Sequence, residues 1–303
     1  MYDTIIIGGG PSGMTCAIYL KRAGKNVLIL EKAMIGGQIA LTKNVENFPG
    51  IKSIDGASFA LQMYDQVVSM GIEVKFEEVV SCNLEQPVKI VNTHKNSYEA
   101  KTIYIATGAS TKQLNVSGEK KLVGKGISYC ATCDGALFKN KDVAIVGAGN
   151  TALEDCLYLS NIANKVYLIH RRDEFRGDFV NAQNVIKQSK DGKIELVLSS
   201  EVVEILGDDK LEKIIVLNKK TEQKTELEVS ALFIAIGRKP DTEIFNGLLL
   251  TDYGYIKTDE KMQTNVLGVY AGGDVRNTPL RQIVTACSDG ALASIYINEY
   301  LNN

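Results

Sequence analysis

Two stretches of this chain share one pattern, a short apolar strand that runs into a glycine-rich loop and opens a helix, and nothing else in the sequence restricts the fold as much. In the first, Thr4 to Ile7 leads into Gly8-Gly9-Gly10-Pro11-Ser12-Gly13, and Met14, Ala17, Ile18 and Leu20 follow at helical spacing. A second apolar strand, Val27 to Leu30, ends in Glu31, 21 positions after Gly10. This is the dinucleotide-binding βαβ arrangement: Gly8 permits the tight turn, Gly10 lets backbone approach a pyrophosphate, and Gly13 lets helix pack closely on strand. The anion then sits at a helix N-terminus, where unpaired backbone N–H groups and the helix dipole both favour negative charge. Glu31 is placed to accept hydrogen bonds from a ribose.

The pattern recurs from Val143 to Val146, with Gly147-Ala148-Gly149-Asn150-Thr151-Ala152 leading into Leu153, Leu157 and Leu159 and then into a second strand, Val166 to Ile169. Here His170-Arg171-Arg172 stands where the first unit has an acid, and Arg176 follows. A carboxylate would repel the extra phosphate of NADP, whereas guanidinium groups bind it bidentately. The first loop therefore suits FAD and the second NADPH. One such loop alone is weak evidence, because glycine turns are common, and the arginines alone read as a solvated basic surface. Two loops in the same strand, loop, helix and strand context make nucleotide binding the stronger reading.

A length of 303 residues implies two domains, each with its own core. Ile103 to Ala106 ending in Thr107-Gly108-Ala109, and Ala231 to Ile236 ending in Gly237-Arg238-Lys239-Pro240-Asp241, look like crossings between them. Near the C-terminus Val269 to Ala271 precedes Gly272-Gly273-Asp274, which suits an acid held beside a ribitol or phosphate and is also a common turn. Ile283 to Tyr300 is helical in its apolar spacing. A net charge of -2 offers no basic face for nucleic acid or anionic lipid. No apolar run approaches the length of a membrane span, and the N-terminus lacks the basic flank and apolar stretch of an export signal. Six cysteines are far too few for a disulfide scaffold, so the expected setting is the reducing cytoplasm.

Two of those cysteines, Cys130 and Cys133, are spaced Cys-x-x-Cys and followed at once by Asp134. The spacing brings two thiols within bridging reach, and a helix starting there favours thiolate. In disulfide exchange one thiolate attacks and another leaves, and a nearby carboxyl can carry the proton between them. Half of a zinc site is the competing reading, but no second pair exists and the only histidines are His94 and His170, so no metal is expected. Inert buried thiols are the other alternative. Cys16, Cys82, Cys156 and Cys287 read as small core hydrophobes.

Taken together, these motifs resemble the low-molecular-weight thioredoxin reductases over essentially the whole chain. The resemblance rests on Gly8 to Gly13, Gly36-Gly37-Gln38 with Glu46-Asn47-Phe48-Pro49-Gly50, and Ala106-Thr107-Gly108. It continues through Ser128 to Gly135, Gly147 to Ala152, His170 to Asp173, and Gly272-Gly273-Asp274 with Arg281-Gln282. It implies an α/β chain of two Rossmann-like three-layer nucleotide-binding domains, the NADPH domain inserted into the FAD domain: 1–112 and 242–303 for FAD, 113–241 for NADPH and the redox disulfide. The implied FAD contacts are Gly8, Gly10, Pro11, Ser12, Gly13, Glu31, Gly37, Gln38, Asn47, Thr107, Gly108, Gly273, Asp274, Arg281 and Gln282. Those for NADPH are Gly147, Gly149, Asn150, Thr151, His170, Arg171, Arg172, Arg176, Gly237 and Arg238.

The resemblance further implies a homodimer, thioredoxin as the protein substrate, and Cys130 and Cys133 lying just before the inserted domain's first strand. It implies a domain rotation, with crossings near Ser110 and near Pro240 as hinges. Glu174 and Gly177 depart from the family's arginine cluster, and Gly272 stands where a small residue is common. Alternatives remain: another disulfide carrier such as that of a peroxide-reducing system, ferredoxin as electron donor, or a redox sensor without turnover. The arginines disfavour ferredoxin.

Overall fold

The computed structural model describes residues 1–42 and 44–303. The chain forms two compact units, one of Met1–Ser110 with Lys239–Asn303 and one of Thr111–Arg238. It begins with β1 (Tyr2–Ile7), α1 (Pro11–Arg22), β2 (Val27–Glu31), α2 (Gly56–Ser69) and β3 (Glu73–Phe76). A meander follows, β4 (Val79–Asn83), β5 (Lys89–Thr93) and β6 (Ser97–Ile105), and β7 (Ala109–Thr111) makes the first crossing. The second unit holds α3 (Glu119–Leu122), β8 (Ile127–Ser128), α4 (Ala131–Asp134), β9 (Asp142–Val146), α5 (Asn150–Ser160) and β10 (Lys165–Ile169). It continues with α6 (Phe179–Lys190), β11 (Ile194–Val197), the hairpin strands β12 (Ser200–Leu206), β13 (Lys213–Asn218) and β14 (Lys224–Glu228), and β15 (Ala231–Ile234). The chain returns through β16 (Arg238–Pro240), which pairs with β7, and ends in β17 (Val269–Ala271) and α7 (Ile283–Asn302).

In the first unit the sheet runs β3-β2-β1-β6-β5-β4. β1 lies between β2 and β6 and is parallel to both, so the chain reverses its winding there and leaves a crevice at the strand ends. Every residue of β2 is buried, as expected of a strand covered on both faces. Met14, Ala17 and Leu20 of α1, Val67 of α2 and Ala293 and Ile297 of α7 cover one face against Ile6, Ile29 and Tyr104. Each fully buried aliphatic side chain of this kind contributes about 1.5–3 kcal/mol. The opposite face is closed by strand and irregular chain: Val79, Val91, Phe245, Leu248 and Ile256 pack on Ile5, Leu28 and Ile103.

β6 is longer than the apolar run from Ile103 to Ala106. Its first half pairs antiparallel with β5 and its last three residues pair parallel with β17. Alternating exposure over Ser97 to Lys101 hides that first half from a search for continuous apolar residues.

The second unit repeats the plan. Its sheet, β11-β10-β9-β15-β8, is wholly parallel. Leu153, Cys156 and Leu159 of α5 and Val185 of α6 cover one face against Val143, Ile145 and Phe233. Val202, Ile205, Ile214 and Val216 of the antiparallel hairpin strands cover the other. One expectation is corrected here. The cysteine pair does not precede this unit's first strand, because two-residue β8 pairs with β15 at the sheet edge ahead of it. So short a strand leaves no periodic signal in the sequence.

Candidate functional site

At the first glycine loop Gly8, Gly10 and Gly13 differ in what surrounds them. Gly8 has φ +112°, and a Cβ there would fall 2.3 Å from the Ala106 carbonyl oxygen; one at Gly13 would fall 2.0 Å from the Gly8 oxygen. A Cβ on Gly10, the N-cap of α1, would meet nothing within 4 Å among the described residues. Two glycines are thus demanded by packing and the third fronts open ground, with Pro11 at N1, where its missing N–H costs no hydrogen bond. Glu31 ends β2 buried, its carboxylate accepting from Gly9 N at 2.8 Å and Ala33 N at 2.9 Å. A carboxylate has about four lone-pair positions, so these two bonds leave capacity for hydroxyl donors.

The other predicted residues of this unit lie outside its strands and α-helices. Gly36 N donates to Gly9 O at 2.8 Å, which brings in the turn of Gly37 and Gln38, both exposed. Asn47 Nδ2 donates to Gln282 Oε1 at 3.0 Å across 235 positions of sequence. Thr107 Oγ1 donates to Asp241 O at 2.8 Å beside Gly108, whose φ is +74°. Gly273 and Asp274 follow β17, and a Cβ on Gly273 would lie 3.1 Å from that of Ser12. Gly272 departs from the family pattern for a steric reason: a Cβ there would fall 1.9 Å from the Tyr104 hydroxyl, which is itself 2.6 Å from Ser12 Oγ. The Arg281 guanidinium stacks 4.2 Å from the Tyr255 ring centre, and its Nε is buried with no hydrogen-bond partner among the described residues.

Sequence reasoning missed the group that holds this turn. Asp289 of α7 accepts from Gly273 N at 2.9 Å and from Arg276 twice, Nε at 2.7 Å and an Nη at 3.0 Å. Its position within an apolar helix was the only available signal.

The second glycine loop has the same division. Gly147 has φ +141°, and a Cβ would fall 2.3 Å from Ala235 O, whereas Gly149, the N-cap of α5, again fronts open ground among the described residues. Asn150 Oδ1 accepts from Asp178 N at 2.8 Å, and Ala148 O accepts from Arg176 N and Gly177 N at 2.8 and 3.0 Å, so the arginine-bearing segment lies on the loop. Gly177, one of the two departures in the arginine cluster, is explained: a Cβ there would fall 2.5 Å from Leu153 Cδ1. Thr151, Arg171, Arg172 and Arg176 are exposed. Gly237 O accepts from Lys112 N at 3.1 Å.

His170 differs from its neighbours. It is buried, bonded to the Glu174 backbone, and its Nε2 has no hydrogen-bond partner among the described residues. Burial, with three arginines nearby, holds its pKa below the usual range, so the ring is neutral at pH 7. Asp155 of α5, which the sequence did not single out, is pushed up to about 6 by burial, against the opposing pull of Arg238.

Cys130 and Cys133 are joined as a disulfide with Cα atoms 5.3 Å apart, Cys130 capping the single turn of α4. Both are half-buried. Asp134 follows on that turn; burial pushes its carboxyl above the usual range, and a 2.6 Å bond from Ser128 Oγ draws it back. Buried Glu119 accepts from Leu114 N, Asn115 N and Tyr129 Oη at 3.0, 2.6 and 2.9 Å, which fixes the chain just ahead of Cys130. Among the described residues no cluster of His, Cys, Asp and Glu could hold a metal ion. Cys16 and Cys156 are buried, and Cys82 packs half-buried against the first unit's core. Cys287 of α7 is half-buried and bonded to Thr15 of α1, and it stands outside the apolar clusters of the described residues.

Known proteins place this arrangement. The family model described as pyridine nucleotide-disulphide oxidoreductase matches residues 2–290. A Clostridium pasteurianum protein, described as a 34.2 kDa protein in the rubredoxin operon, is 40% identical over 99% of this chain and 97% of its own length. A thioredoxin reductase of Listeria innocua is 40% identical over 99% of this chain and 94% of its own. The crystal structure of thioredoxin reductase from Streptococcus pyogenes matches with a TM-score of 0.95 at 39% identity, covering 100% of this chain and 98% of that one.

Proposed function

The chain belongs to the pyridine nucleotide-disulphide oxidoreductase family, and we propose that it works there as an NADPH-dependent thioredoxin reductase whose last internal electron carrier is the Cys130–Cys133 disulfide. The observation that carries this reading is that disulfide, half-buried on a single helical turn with a protonatable carboxyl at Asp134. FAD, when bound, supplies a two-electron store between a nicotinamide hydride and a disulfide. The first unit fits it: Gly10 fronts open ground at the start of a helix, and Arg281 keeps a buried Nε without a partner among the described residues.

Gly8, Gly10, Pro11, Ser12, Gly13, Gly273 and Asp274 would hold its phosphates and ribitol, and Glu31 its ribose. Gly37, Gln38, Asn47, Thr107, Gly108, Arg281 and Gln282 would complete that site. In the second unit Gly147, Gly149, Asn150 and Thr151 would take the NADPH pyrophosphate, and exposed Arg171, Arg172 and Arg176 its extra phosphate. Gly237 and Arg238 would flank it, and buried His170 would support the arginines from beneath.

The sulfurs accept two electrons as their bond opens. One thiolate then attacks the thioredoxin disulfide, the other resolves the mixed disulfide, and Asp134 carries the proton that the departing sulfur needs. A cytoplasmic homodimer accompanies this reading. Val284, Leu292 and Ile295, exposed on one face of α7, support a partner subunit there.

Anaerobic NADPH titration with thioredoxin present, in the wild type and in Cys133→Ser, tests the proposal. Flavin reduction retained and thioredoxin reduction lost is the expected pattern. Thioredoxin reduction by Cys133→Ser at the wild-type rate would end it.

A further inference from the structure

Ser128 has no role yet in this scheme, although it touches both the carboxyl and the disulfide loop. Its hydroxyl oxygen lies 2.6 Å from Asp134 Oδ2 and accepts the Cys130 N–H at 3.0 Å. It also lies 3.3 Å from the Cys130 carbonyl oxygen, which accepts the Asp134 N–H at 3.2 Å. The residue is buried, so bulk water competes weakly for these bonds.

A hydroxyl carries one hydrogen and two lone pairs. With Asp134 ionised, that hydrogen belongs on Oδ2, where the bond is charge-assisted. With Asp134 protonated, the carboxylic O–H donates to Ser128 Oγ, and the hydroxyl hydrogen turns to the Cys130 carbonyl. Asp134 thereby keeps a partner in both states.

We propose that Ser128 is a positioning residue for disulfide exchange: its hydroxyl turns between Asp134 and the Cys130 carbonyl as Asp134 releases and regains a proton, and so sets the pH at which Asp134 works. The inference rests on the reading of Asp134 as proton carrier. When the dithiol reduces thioredoxin, the Cys130–Cys133 bond re-forms, the thioredoxin S–S bond breaks, and two electrons pass with two protons, one of them by way of Asp134.

The surroundings leave Ser128 as the adjustable contact. Among the described residues, burial and the Ser128 bond account for the displacement of Asp134, with no charged group contributing. Of the elements packed around it, residues 135–138 and β8 carry no ionisable group. α5 brings Tyr158 against Gly135 and carries Glu154 and Asp155 one turn earlier. Tyr129 is bonded to Glu119. Reduction adds the Cys130 and Cys133 thiols.

The test is the pH profile of kcat/KM for thioredoxin in the holoenzyme, with FAD content and the flavin spectrum reporting the fold of each variant. Ser128→Ala should move the limb that reports on Asp134 upward by about one pH unit, the size of one hydrogen bond to a charged group. Ser128→Thr should restore it, and in an Asp134→Asn background Ser128→Ala should shift nothing further. A Ser128→Ala profile lying on the wild-type curve would overturn the proposal, as would an equal shift in the Asp134→Asn background. An Asp134→Asn enzyme with wild-type rate and profile would overturn it together with the reading of Asp134. Absence of thioredoxin reduction in the wild type is a separate outcome, which removes the functional reading first.

Discussion

Arg276→Leu should destabilise the first unit through the charge it leaves behind. The side chains of Arg276 and Asp289 are only 15% and 8% exposed, and their two hydrogen bonds are 2.7 and 3.0 Å long. Removing the arginine leaves a buried carboxylate bonded to Gly273 N, and breaking a buried pair this way costs about 3–5 kcal/mol. A unit of this size loses about 2–4 °C of melting temperature per kcal/mol, so the expected fall is on the order of 10 °C. The double variant Arg276→Leu with Asp289→Asn separates charge from packing. The amide oxygen still accepts from Gly273 N while the orphaned charge is gone, so about 1 kcal/mol or more should return. Thermal unfolding followed by circular dichroism and by flavin fluorescence measures both. A double variant that melts at or below Arg276→Leu would refute the reasoning.

Gly147→Ala should lower the melting temperature, because its Cβ meets the Ala235 carbonyl, while Gly149→Ala should leave stability nearly unchanged and weaken NADPH binding; calorimetric unfolding and NADPH titration distinguish the two. Glu119→Leu should cost about 3 kcal/mol and Tyr129→Phe about 1 kcal/mol in chemical denaturation, since the first orphans two backbone N–H groups and a hydroxyl and the second removes one of the three donors to Glu119. Asp155 has its folded pKa raised from 3.8 to about 6, so the folded state favours the protonated form and stability falls as pH rises through that window. The full loss above it is about 3 kcal/mol. Asp155→Asn should therefore gain stability relative to wild type above pH 6 and gain little below pH 4, read from melting temperature against pH.

The glycine loops, the acid and arginine strand ends and the cysteine pair were legible because each depends on short-range physics. A tight turn needs glycine within a few residues of its strand, and a strand covered on both faces needs an unbroken apolar run. Other features lacked a local trace. β8 is too short to show a period, the first half of β6 alternates like any half-exposed strand, and the layer opposite the helices is made of strand and irregular chain in the first unit and of hairpin strands in the second, whose patterns do not name their partners.

The sequence by itself determined that the chain carries two glycine loops, each between an apolar strand and a helix, one leading on to a strand that ends in an acid and the other to a strand that ends before arginines, and one Cys-x-x-Cys pair. Tertiary structure decided which remote groups hold those features in place. Asp289 reaches Gly273 across 16 positions and Asn47 reaches Gln282 across 235, while nearer Ser128 bonds Asp134 six positions on, across the turn of α4. The first joins a side chain to a backbone N–H and the other two join side chains, and in none of them does the sequence around one partner point to the other. A hydrogen bond requires its partners within about 3 Å, and only the folded backbone sets that distance.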